Sequence, residues 1–175
     1  MAGINKLCAS VKTNKMKFLL LIICILFMNC NNKIDSQNFV SEFGYSIVLP
    51  ENWSEYDDEK NTNAFFDSTD WTGNLRITPI KIDSKKGPEL LEDEINNFDG
   101  QTEKFKTQNG FEGLKYSEKS EEDYIYYWYL IVKDKMFICS FTINLTEKET
   151  KKNEAEIAKV TKIIESIKPE QNTST

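Results

Sequence analysis

The sequence predicts an α+β domain, an antiparallel sheet with two main helices packed on it. Three observations carry this. Two strand patterns, Tyr124 to Val132 and Met136 to Leu145, are joined only by the turn Lys133-Asp134-Lys135, which makes them an antiparallel pair. Apolar residues at helical spacing occur twice, at Leu90, Leu91, Ile95 and Phe98 and at Ile157, Val160, Ile164 and Ile167. The order is strands, helix, strands, helix, which fits helices packed on an antiparallel sheet better than a βαβ repeat.

The chain opens with a different kind of segment. Lys15 and Lys17 precede an apolar run from Phe18 to Met28, and Cys30 follows. The run is well short of the roughly 20 residues that span a bilayer. It reads as a cleaved signal over residues 1–29, with Cys30 as the lipid-bearing N-terminus of the mature chain. Asn29 and Phe27 depart from the usual small and aliphatic residues before such a cysteine, so an uncleaved short anchor is the competing reading. Met16 gives a more compact start than Met1. Residues 30–38 read as a lipidated tether, 39–168 as a single domain and 169–175 as a frayed tail.

Within the domain, Tyr45, Ile47 and Leu49 alternate with smaller or polar residues, and Pro50 stops that strand. Trp53 and Tyr56 mark a short second strand, and Thr62 to Asp67 a third. Leu75 to Ile82 alternates again, with Pro79 placing an edge or bulge there. Gly87-Pro88 starts the first helix, because proline suits a first turn whose N–H groups lack partners anyway. Asp99-Gly100 ends it. Glu103 to Gln108 and Phe111 to Ser117 form a hairpin about Asn109-Gly110. Tyr124 to Val132 is apolar or aromatic throughout, so both its faces need at least partial cover. With Met136 to Leu145 it should form the centre of the sheet. Thr146-Glu147-Lys148-Glu149 reads as a capping box for the last helix, which Pro169 stops.

Composition narrows the function. The leader carries Lys6, Lys12, Lys15 and Lys17 and no acid, so the mature chain keeps 18 basic against 28 acidic side chains, a net −10. Such a chain is repelled by phosphate backbones, which argues against nucleic acid. There is no histidine, which removes Ser/His and Cys/His catalysis and the commonest zinc ligand. Arg76 is the only arginine. Beyond the leader and Cys30 the only cysteine is Cys139, which lies between Phe137 and Phe141 on an apolar face and reads as a buried core thiol.

The acidic runs do not make sites. Asp57, Asp58 and Glu59, even with Asp67 and Asp70, lack the spacing of a calcium loop. Glu118, Glu121, Glu122 and Asp123 read as a polar connection that keeps the following strand soluble. Neither catalytic residues, nor a metal, nor a cofactor is expected. The aromatic strand has more to say. Tyr126 and Trp128 share the core parity, which leaves Tyr127 and Tyr129 as the pair expected to be exposed. Trp71, beside Gly73, either plugs the core or waits for a partner. Trp71, Tyr127 and Tyr129 are therefore the candidate partner-binding residues.

Two stretches resemble a known fold family. Phe43-Gly44-Tyr45-Ser46-Ile47-Val48-Leu49-Pro50-Glu51-Asn52-Trp53 resembles the first hairpin of PsbP-like domains, with its alternating strand, proline, and tryptophan three residues on. Ile163-Ile164-Glu165-Ser166-Ile167 resembles their final helix. The resemblance covers roughly residues 39–168 and is closest to the uncharacterised bacterial lipoprotein branch. It implies the same α+β fold and protein binding without catalysis, and it transfers no functional residue. The leading expectation is an envelope lipoprotein that binds an envelope or periplasmic protein and meets the bilayer through acylated Cys30. Asn31, which is not Asp, favours the outer membrane. The alternatives are a periplasmic immunity protein against a toxin and an enzyme of unknown type.

Overall fold

The computed structural model describes residues 35–98 and 101–170. The proposed signal, Cys30, the Asp99-Gly100 helix stop and the tail beyond 170 lie outside the described residues. The elements are β1 (Ser36–Ser41), β2 (Tyr45–Pro50), β3 (Trp53–Tyr56), β4 (Asn63–Asp67), β5 (Gly73–Lys81), α1 (Gly87–Asn97), β6 (Glu103–Lys106), β7 (Glu112–Lys119), β8 (Asp123–Val132), β9 (Lys135–Asn144), α2 (Lys151–Glu165) and β10 (Lys168–Pro169).

The fold is α+β, but its strands form two antiparallel sheets. The smaller has the order β1-β2-β10 and the larger β3-β4-β5-β9-β8-β7-β6. β9 is the middle strand of the larger sheet, flanked by β5 and β8, as the apolar β8–β9 pair requires. Pro79 pairs with Phe137 of β9, while β4 accompanies β5 only from Leu75 to Ile77. The proline thus sits where β5 has a free edge on one side and no ladder bond to lose.

The strand parity decides the core. Leu75 and Ile77 of β5, Phe137, Cys139, Phe141 and Ile143 of β9, and Trp128, Leu130 and Val132 of β8 point to one face. Tyr45, Ile47 and Leu49 of β2 and Val160, Ile163, Ile164 and Ile167 at α2 close over them. Tyr45 meets Phe137 edge-on at 5.1 Å. Cys139 is fully buried, and burial pushes its thiol well above the usual range, so it is an inert core residue. Asn63 ties the sheets together. Its Oδ1 accepts from Ser41 Oγ and Tyr45 Oη, each at 2.6 Å, and its Nδ2 donates to Glu55 at 2.7 Å.

The opposite face of the large sheet, here the outer face, is covered at one side by α1. Gly87 lies so close to β8 that a Cβ there would come within 2.8 Å of Ile131 Cγ2. Leu91 of α1 is buried, and Phe98 stacks on Tyr116.

Several local readings need correction. β1 and β10 were not predicted, since Ser36 to Asn38 read as tether and Pro169 as a stop. The Asn109-Gly110 hairpin forms, but only Gly110 takes positive φ (83°), so the turn is not the two-residue type. Gly110 N–H instead donates to Thr107, whose hydroxyl accepts from Phe111 N–H. Thr146 does not cap α2. It belongs to a short 3-10 turn over Leu145–Glu147 capped by Asn144, and the helix starts four residues later with Thr150 accepting from Asn153 N–H. Asn144 captures the Thr146 N–H and hydroxyl. Thr150→Ala is therefore expected to cost about 1 kcal/mol. Thr146→Ala should stay within about 0.5 kcal/mol. Urea melts of the two variants check the assignment, and the reverse order would restore the capping box.

Candidate functional site

The outer face of the large sheet and the loop between β4 and β5 hold the residues of interest. Cross-strand pairing sets side chains of the outer face in rows. One row runs Tyr56, Ala64, Arg76, Ser140, Tyr127, Tyr116 from β3 to β7. Next to it run Asn74, Thr142, Ile125 and Glu118 on one side, and Thr78, Ile138, Tyr129 and Leu114 on the other. Away from α1 this face is half-buried rather than closed.

Aromatic rings fill one end of the central row. Tyr116 is sandwiched between Phe98, at 3.9 Å and 27°, and Tyr127, at 4.8 Å and 15°. Tyr129 lies beside them, 5.9 Å from Tyr116. Burial raises the phenol of Tyr127, and the charge of Glu118 adds to it. Tyr129 is also raised, first by burial, with Glu94 and Glu118 contributing against the Tyr116 hydrogen bond. These phenols remain neutral donors on an acidic face. At the other end of the row, Arg76, the cross-strand partner of Ala64, is ion-paired through Nε to Asp58.

The expectation of an exposed Tyr127–Tyr129 pair needs correction. Both are half-buried, because stacking on Tyr116 and the approach of α1 cover them. Trp128 is buried and Tyr126 half-buried on the opposite face, as their parity predicts. Trp71 does not plug the core. It is 59 % exposed, with its indole N–H donating to Asn74 at 3.2 Å. The row that starts at Asn74 is a neighbour of the Tyr127 row, so Trp71 stands at one end of the same face.

The loop bearing Trp71 is held from beneath. Asp67, 1 % exposed, accepts on Oδ1 from Thr69 N–H, Thr69 Oγ1 and Asp70 N–H at 2.8–2.9 Å. Its Oδ2 lies 3.6 Å from Lys159 Nζ, which also binds the buried Glu156 at 2.8 Å. Burial pushes the Asp67 carboxyl up, but the Thr69 and Asp70 amides outweigh it and hold it below the usual range. Asp70 pairs with Lys152, whose Nζ also donates to the Trp71 carbonyl at 3.3 Å. Ser68 N–H and hydroxyl both donate to the Asn52 carbonyl. The sequence offered Asp67 as the end of a strand and Asp67 and Asp70 only as additions to a calcium loop that the spacing does not support. Their role depends on Lys152 and Lys159, some eighty to ninety residues away.

Two grooves border this face and share Leu114, Tyr116 and Tyr127 with it. One of about 530 Å³ runs between α1 and the β6–β7 hairpin, lined by Leu91, Ile95, Phe105 and Leu114. The other, about 300 Å³, lies between α2 and β7–β8, lined by Lys115, Ser117, Tyr126, Trp128, Ile157 and Thr161. Among the described residues, no three His, Cys, Asp or Glu side chains gather as metal ligands, and no helix is long and apolar enough to cross a membrane.

This architecture is PsbP-like. The solution structure of cyanobacterial PsbP (CyanoP) from Synechocystis sp. PCC 6803 is similar over 81 % of this chain and 96 % of that one, with TM-score 0.50 and 12 % identity. A crystal structure from Bacteroides thetaiotaomicron VPI-5482 is similar over 78 % of this chain, with TM-score 0.61 and 23 % identity. This chain spans about half, 49 %, of that longer one. Both likenesses are of fold. The chain belongs to the family described as a domain of unknown function (DUF3805), whose profile matches residues 34–173. No curated protein matches the chain.

Proposed function

We propose that this protein is a lipoprotein, anchored in the cell envelope through Cys30, whose domain binds another protein without catalysis. The observation that carries the binding role is Trp71. An exposed indole usually costs a protein solubility and is seldom held in place. Here the loop is fixed by Asp67, Asp70, Lys152 and the Asn52 carbonyl. Holding an aromatic side chain rigid before binding removes much of the entropy that association would otherwise cost. Tryptophan is also among the residues richest in interface hot spots. The half-buried outer face beside it supplies contact area of the same character.

The test is capture from envelope extracts with the full chain as bait. Trp71→Ala is expected to leave stability within about 0.5 kcal/mol, because the indole is exposed. It should weaken the captured complex by about 2 kcal/mol or more. Equal capture by the variant would remove Trp71 from the interface. Recovery of a single stoichiometric toxin would select the immunity reading. Mass spectrometry of the N-terminal peptide tests the anchor: an unmodified peptide beginning upstream of Cys30 would overturn it.

A further inference from the structure

The row Arg76–Ser140–Tyr127–Tyr116 contains a gap. Tyr116 and Tyr127 are direct partners on β7 and β8, and their rings stand 4.8 Å apart and nearly parallel. That is the spacing of the strands themselves, so the rings rise from the sheet side by side. Phe98 takes the far face of Tyr116. The far face of Tyr127 is turned to β9, where its partner is Ser140. A serine reaches too short a distance to cover a ring. Beyond it Arg76 is engaged through Nε by Asp58. Among the described residues Tyr127 has one stacking partner, Tyr116, and its second face meets none. Thr142 and Ile138 are the neighbours of Ser140 along β9 on this face.

We infer that the space over Ser140, between Tyr127 and the Arg76 stem, receives an aromatic side chain from a partner protein segment that carries lysine or arginine beside it. The inference rests on the protein-binding reading and names the partner's chemistry. The ring would be the fourth in the stack Phe98–Tyr116–Tyr127, in the offset geometry that aromatic pairs favour. The basic flank follows from charge. Glu118 stands on the neighbouring row, Glu59 is close enough to act on the charge of Arg76, and Arg76 itself is already paired with Asp58. The same surplus of acid opposes a second copy of this chain as the occupant.

The probe is the peptide Lys-Lys-Trp-Lys-Lys carrying 5-fluorotryptophan, titrated into the full chain and followed by fluorine NMR. Its control replaces the tryptophan with cyclohexylalanine, which keeps bulk and charge but lacks the π face. The aromatic peptide is expected to saturate with a Kd tighter than about 1 mM, at least about tenfold tighter than the control. Ser140→Phe fills the gap and should weaken binding at least about tenfold. Tyr127→Leu removes the stacking wall and should do the same; it decides the matter alone if Ser140→Phe fails to melt cooperatively. Equal binding of the two peptides, unchanged binding by folded variants, or no saturable shift would each overturn the inference. So would a concentration-dependent dimer abolished by Ser140→Phe, since a second copy would then fill the gap. Capture of the same envelope partner by wild type and Ser140→Phe would remove the gap while leaving the binding role standing. Failure of every form to capture a partner would remove the binding role itself.

Discussion

Asp67→Ala is expected to destabilise the domain by about 2–3 kcal/mol, from the hydrogen bonds that a buried, charged acceptor gives up. Asp67 is 1 % exposed and accepts three hydrogen bonds from the 69–70 turn. Its removal leaves two backbone N–H groups and one hydroxyl without their acceptor. It also leaves Lys159 with Glu156 alone. The loop that displays Trp71 would lose its floor, so partner binding should fall together with stability. Asp67→Asn keeps one acceptor and the shape, and should cost less. Chemical denaturation of both variants beside wild type measures the difference. A cost under about 1 kcal/mol for Asp67→Ala would mean that the carboxylate is hydrated and the turn is held by its backbone alone.

The same pair gives the stability a pH signature. Asp67 titrates below its ordinary value in the folded state. Its contribution is therefore complete above the ordinary carboxylate range and disappears as pH falls through the depressed folded value. Lys159 is raised in the folded state: burial lowers it, but the hydrogen bond and charge of Glu156 outweigh that. Its contribution is complete below its ordinary value and disappears as pH rises through the raised one. Wild type and Asp67→Asn should therefore converge in stability in acid and separate above about pH 4–5.

What the sequence shows of this fold is what period and parity can carry. The even residues of β8 and the odd residues of β9 face one core because their alternation is unbroken, and Trp128 and Cys139 pair directly. Pro79 marks a free edge because proline lacks a donor wherever it stands. What it does not show depends on partners distant in the chain. β1, Ser-Gln-Asn-Phe-Val-Ser, has one strong apolar residue on its inward face, Phe39, and becomes a strand because β2 offers its edge. β10 is two residues long and exists through its pairing with Ser46 and Tyr45. Asn153 and Glu156 break the apolar pattern of α2, yet both are buried: Asn153 Nδ2 donates to Tyr126 and to the Lys148 carbonyl and Glu156 Oε2 pairs with Lys159, while Asn153 Oδ1 and Glu156 Oε1 have no partner among the described residues. Tyr127 was legible as a candidate; the gap beside it was not. That gap requires Ser140 to stand between Tyr127 and Arg76, and no window along the chain contains all three.

Asn63→Ala should be the second large loss, about 2–5 kcal/mol, from two buried hydroxyls left unpaired at about 1–3 kcal/mol each. The reasoning depends on one acceptor serving two sheets. Ser41 closes β1 and Tyr45 opens β2, and both hydroxyls end on Asn63 Oδ1 at the start of β4. Tyr45 is fully buried and Ser41 nearly so, so neither hydroxyl can turn to water when the acceptor goes. Burial raises the Tyr45 phenol well above its usual range, which keeps it a donor at any ordinary pH. Tyr45→Phe, by contrast, deletes a donor and leaves Asn63 Oδ1 with its bond from Ser41. That change should cost only about 1 kcal/mol. In the double variant the Tyr45 hydroxyl is no longer there to be stranded, so Tyr45→Phe should add little to Asn63→Ala, or recover part of its loss. Strict additivity would show that the two groups do not share this bond, and the attachment of the small sheet to the large one would then rest on the apolar contacts of Tyr45, Ile47 and Leu49 together with the Gln37 and Lys135 hydrogen bonds to the Trp53 and Phe43 carbonyls.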